Sequence, residues 1–155
     1  VIAISPAIKY TGFSPSKSLA LPFVSQASPK FIFRLASDNT VLTRDSNVIK
    51  RLDSDNLRHN QISARLGKEL VDSGLRVEEK AHKLRVPVLM LQGGDDIITP
   101  SQGIRSFYQS VKLTDKKYLE YPQTLHRPFD DLKRNEVMEA LFSWINRKVE
   151  TSIPA

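Results

Sequence analysis

The stretch that decides the fold is "LRVPVLMLQGGDDIITPSQ", residues 84–102. From Val86 to Leu91 the chain is nearly unbroken in apolarity, and it stops abruptly at Gly93-Gly94 and Asp95-Asp96. Such a run reads as a strand covered on both faces, as strands of a parallel sheet are. Glycine and aspartate at its end supply a turn. Thr99-Pro100-Ser101-Gln102 then has the T-x-x-Q form of a capping box, with proline at the first helical position, which predicts a helix through "GIRSFYQSV".

Working outward, "KKYLEYP" (116–122) is expected to be the next strand and "TLHRPFDD" (124–131) the loop after it. The last long element is an amphipathic helix whose Val137, Ala140, Leu141, Trp144 and Ile145 share a face, followed by a tail, "TSIPA". Upstream, "LRVEEKAHKL" (75–84) reads as a helix leading into the strand. "NQISARLGKELVDSG" (60–74) reads as another, with Ile62, Leu66 and Leu70 recurring every four residues and Ser73-Gly74 ending it. "DSNVIKRL" follows Asp45 as a cap. "FIFRLA" (31–36) fits helix or strand. The Ser- and Pro-rich stretch 11–30 reads as an irregular excursion, and "VIAIS" at the start as a buried strand closed by Pro6.

Composition narrows the function. The chain has 155 residues, a single-domain size, and 40% of them are apolar, enough for a substantial core. It contains no cysteine, which excludes a disulfide scaffold, a thiolate nucleophile and a cysteine-bound zinc site. No apolar run approaches the roughly 18 residues of a membrane span, and no signal peptide is recognisable, so a soluble, cytoplasmic protein is expected. A buried strand at residue 1 without a polar lead-in suggests a fragment. The formal charge of +6 is spread between acidic residues and forms no basic block with aromatics, so no nucleic-acid partner is expected.

The order strand, helices, strand, helix, strand, helix is that of an α/β protein with a mainly parallel sheet of three strands. In that architecture chemistry gathers at the carboxyl ends of the strands. Here one end carries Asp95 and Asp96, and the other carries His126. Neighbouring strands would set those loops side by side, so that a carboxylate holds one imidazole nitrogen while the other acts as a base, two-thirds of a catalytic triad. The plainer alternatives are an ordinary strand-ending turn and an ordinary loop histidine. His59 and His82 lie in polar stretches expected to be helical and at the surface.

"VPVLMLQGGDDIITP", "DKKYLEYPQTLHRPFDD" and "NEVMEALFSWI" together resemble the carboxyl-terminal half of an α/β-hydrolase of the monoacylglycerol lipase and lysophospholipase group. "VIAISPAI" resembles the strand after that family's nucleophile helix, and "VLTRDSNVIKRLDSDNL" its cap. The resemblance covers nearly the whole chain, 1–155, as a partial hydrolase domain. It makes 10–80 the cap-containing excursion, with a helical cap inserted into the fold, and 84–150 the core carrying acid and base. It assigns the acid of G-x-x-D to Asp96, with Gly93 as its glycine, and the general base to His126, leaving Asp95 as a turn residue. Ile98 and Leu125 are implied as lining of the acyl pocket.

The chain departs from the family pattern at Arg127-Pro128, where an acidic residue often follows the histidine, and at Asp55-Asn56 in the cap. More important, none of its six glycines belongs to a G-x-S-x-G nucleophile pentapeptide. Ser5 is the nearest imitation, but Pro6 after it has no N–H to offer an oxyanion, which makes Ser5 a structural strand-end residue. The resemblance therefore implies half of a serine hydrolase for acyl esters, inactive alone, completed by its missing amino-terminal half and needing no cofactor or metal. An acyl-ester or lipid substrate and transient contact with a membrane surface go with that reading. A non-catalytic hydrolase relative with a regulatory role is the main alternative, and a diffuse basic binding module the third.

Overall fold

A computed structural model describes residues 1–35 and 38–150; the tail 151–155 and the end of "FIFRLA" lie outside the described residues. In chain order the elements are β1 (Ile2–Ile4), α1 (Pro15–Ala27), β2 (Ile32–Arg34), α2 (Ser46–Ser54), β3 (Gln61–Ser63), α3 (Ala64–Glu79), β4 (Val88–Gly93), α4 (Ser101–Ser110), β5 (Lys116–Tyr121) and α5 (Arg134–Glu150). β1, β4 and β5 form a parallel sheet in that order. The alternation of side chains along β4 explains its unbroken apolarity. Val88 and Met90 pack with Ile104, Phe107 and Val111 around α4, while Leu89 and Leu91 pack with Tyr121, Val137 and Trp144 beneath α5. Each face of the strand is a core.

A third apolar cluster lies in the excursion between β1 and β4. Phe13, Leu21, Phe33, Ile62 and Ala64 gather where α1, α3 and the antiparallel pair β2–β3 meet, with Phe33 opposite Ile62 in the ribbon. "FIFRLA" thus resolves to a strand through Ile32–Arg34, and Ile62 belongs to its partner strand rather than to a helix. The stretch expected to be irregular contains α1, which begins at Pro15 and carries Pro22 inside it. A proline there removes one helical hydrogen bond, and burial of Leu21 and Ser25 holds the helix together regardless.

Helix α3 is longer than its sequence pattern suggests. Gly74 does not end it; the helix continues to Glu79, so "LRVEEKAHKL" is its continuation plus a short 3-10 turn at Ala81–Lys83. Its buried stripe is Ala64, Gly67 and Gly74, whereas Leu66 is 59% exposed. A Cβ at Gly74 would lie 2.4 Å from the carbonyl oxygen of Ile8, so the missing side chain is what lets α3 lie against the backbone after β1. Asp45 caps α2 as expected, accepting from the amides of Asn47 and Val48. Ile145 faces solvent while Val137 and Trp144 are buried. His59 sits in a coil segment and His82 in the 3-10 turn, both exposed.

Candidate functional site

The register of the sheet brings the two loops together. Gly93 at the end of β4 stands opposite Tyr121 at the end of β5. The loops that follow are stitched by Gly94 N–H to the Tyr121 carbonyl at 2.8 Å and Asp95 N–H to the Thr124 carbonyl at 3.0 Å. A Cβ at Gly93 would fall 2.0 Å from the Leu125 carbonyl oxygen, so this position admits no side chain while the loops stay in place.

At this junction Asp96 Oδ2 and His126 Nδ1 are 2.8 Å apart. Asp96 is buried, and its carboxylate collects further donors. The amides of Ile98 and Thr99 donate to Oδ1 at 2.8 and 3.0 Å, and Thr99 Oγ1 and Gln92 Nε2 donate to Oδ2 at 2.7 and 2.9 Å. Burial by itself raises the carboxyl pKa, but the hydrogen bonds from His126 and Thr99 and the nearby imidazole outweigh it and hold Asp96 below the ordinary carboxylate value. An ionised carboxylate accepts only, so Nδ1 carries the proton of the neutral ring and Nε2 keeps its lone pair. Among the described residues nothing hydrogen-bonds to Nε2, and the side chain is 25% exposed. Chemically this is an oriented base with a free accepting nitrogen.

Thr99 is not the cap the sequence suggested. Pro100, whose side chain has no polar atom, occupies the N-cap of α4, and the Thr99 hydroxyl is bonded to Asp96 instead of capping the helix. Gln92, fully buried, bridges Asp96 and the Thr99 carbonyl. A polar residue inside an otherwise apolar strand was the only sequence signal for it. Asp95 points away and pairs with Arg44 at 2.7 Å, a half-exposed contact. Ser5, at φ 43°, ends β1 with its backbone amide on the Leu91 carbonyl and its hydroxyl buried.

Ile98 lines an open cavity of about 680 Å³ between the loop after β4 and the excursion, together with Tyr10, Leu42, Leu52, Arg58 and Ile97. Leu125 is not among the residues lining it; it is half-buried and bound through its amide to Asp131. Among the described residues no group of three or more His, Cys, Asp or Glu is placed to hold a metal ion, and no helix is long and apolar enough to cross a membrane.

Residues 1–133 match the family Hydrolase_4, described as serine aminopeptidase, S33. A crystal structure of monoacylglycerol lipase from Paleococcus ferrophilus is similar, with a TM-score of 0.88 and 30% identity over 93% of this chain and 57% of that one. The monoacylglycerol lipase of Mycolicibacterium smegmatis is 26% identical over 70% of this chain, and the human monoglyceride lipase 28% identical over 74%. The chain spans 39% of the length of each of these two curated relatives.

Proposed function

Because the chain belongs to the Hydrolase_4 (serine aminopeptidase) family, we propose that it is the carboxyl-terminal half of a serine hydrolase acting on acyl esters of the monoacylglycerol or lysophospholipid type. The observation that carries this reading is the 2.8 Å hydrogen bond from His126 Nδ1 to a buried, multiply hydrogen-bonded Asp96. The lipase names of the similar proteins support the ester class.

In this mechanism a serine from the upstream half attacks the ester carbonyl while His126 Nε2 takes its proton. Donors from the same upstream half hold the oxyanion. His126 returns the proton to the departing alcohol, then activates water to release the acyl group. Asp96 orients the ring and stabilises its charged form without taking the proton. Ile98 lines the acyl pocket; Leu125, outside that cavity, is held by Asp131 beside His126. The upstream half adds a strand to the outer edge of β1, where Ile2 and the preceding Val1 are exposed. Leu19 and Phe23, 76% and 72% exposed on α1 near Lys17, supply a surface for transient lipid contact.

The test uses the complete protein with a short-chain acyl ester. His126→Ala is expected to lower turnover by about six orders of magnitude and Asp96→Asn by about four, with the fold intact, as loss of the base or of its orienting carboxylate does. Near-normal hydrolysis by either variant sinks the assignment. The 155-residue chain alone is expected to show no hydrolysis.

A further inference from the structure

Asp131 has no role in the chemistry above, yet its side chain is fully buried. Its Oδ2 accepts the amide of Leu125 at 2.7 Å, the residue before His126. Its Oδ1 accepts the amides of Arg44 at 2.8 Å and Leu132 at 2.9 Å, with the hydroxyl of Thr43 at 3.5 Å. Residues 42–44 lie in the excursion, just ahead of α2. The residue after His126 is tied to the same segment, since the Arg127 amide donates to the Leu42 carbonyl at 2.8 Å. Arg44 reaches across as well, to the carbonyl of Gln123, a residue at φ 59°, and to Asp95. Both backbone neighbours of His126 are therefore anchored to one short segment, and the Asp131 carboxylate is the rigid group that spans the gap.

We propose that Asp131 is a positioning residue for His126: it fixes the histidine loop against residues 42–44 and so keeps the imidazole on Asp96. The proposal rests on the reading of His126 as the base. It goes beyond the triad, because it makes the geometry of that base depend on where the excursion is seated. Loops without regular structure hold a side chain only as well as their backbone amides are held, and here two amides flanking His126 are held by one junction.

Asparagine is the informative substitution. It is isosteric, but it offers a single acceptor oxygen, whereas Asp131 receives N–H groups on both of its oxygens. Its amide nitrogen must then face an N–H donor, and one arm of the junction opens. The experiment is Asp131→Asn in the complete protein, assayed with p-nitrophenyl butyrate and by the strongly deshielded proton NMR signal of the His126 Nδ1–H. The expected result is a fall in kcat of about tenfold to a hundredfold, the size of effect that a small misplacement of a catalytic group produces, with KM nearly unchanged. The imidazole signal should shift or broaden. A variant that only melts earlier, with kcat and signal as in the parent, overturns the proposal. Should the parent hydrolyse no ester, the functional reading fails, and the imidazole signal alone then decides: altered in Asp131→Asn supports the junction, unaltered overturns it. Should Asp131→Asn not fold, Thr43→Val takes its place. It keeps the shape and removes the hydroxyl that donates to the Asp130 carbonyl at 2.9 Å, and it must move kcat and the signal in the same direction.

Discussion

Two adjacent aspartates separate cleanly at the scale of the residue. Asp96 is buried and receives five hydrogen bonds, whereas Asp95 pairs with Arg44 at the surface. Since the folded protein holds Asp96 below its unfolded value of about 3.9, its carboxylate contributes stability at every pH above that value. The contribution is lost as pH falls through the lower folded value. Asp96→Asn is therefore expected to flatten the loss of stability as pH falls below about 3.9, read as the urea midpoint at each pH. Asp95→Ala should reduce stability by about 1 kcal/mol or less, as for other exposed pairs. The sequence alone could not separate the two carboxylates, because a Gly-Gly-Asp-Asp turn satisfies the same backbone rules whichever aspartate turns inward. The resemblance to a known family supplied that choice.

At the scale of the element, helix α3 shows why sequence periodicity misleads where small residues do the packing. Ile62, Leu66 and Leu70 suggest one helical stripe, but Ile62 is buried from β3, Leu66 is exposed, and the buried residues of the helix are Ala64, Gly67 and Gly74, which no hydropathy pattern highlights. Glycine inside a helix usually weakens it by about 0.5–1 kcal/mol relative to alanine. At Gly74 the sign reverses, because a new Cβ would meet the backbone oxygens of Ile8 and Ala7 at 2.4 and 2.8 Å. Gly74→Ala is expected to destabilise the protein by about 1–3 kcal/mol, as overpacking does, in thermal or urea unfolding. β4 and α2, by contrast, were legible, since an unbroken apolar run and an aspartate cap each have one dominant physical cause. The β2–β3 ribbon was not, because strands of three residues leave too little pattern to read.

At the scale of the molecule, the described residues form two bodies of apolar packing: the sheet with α4 and α5, and the cluster around Phe33 in the excursion. Phe33→Ala, which empties the centre of the second, should cost about 3–5 kcal/mol locally. Hydrogen exchange is expected to quicken in β2, β3 and the start of α3 while the β4 amides remain protected. Equal loss of protection in β4 would mean that the two bodies unfold as one. The same arrangement bears on how such a molecule could be redesigned or could diverge. The excursion leaves the sheet after β1 and rejoins it before β4, so a differently shaped segment could be transplanted between those points to change what the cavity admits. Any such graft inherits an obligation from Asp131. It must arrive with an N–H where that of Arg44 now lies and a carbonyl where that of Leu42 lies, or the recipient will acquire a new pocket and lose the aim of its histidine.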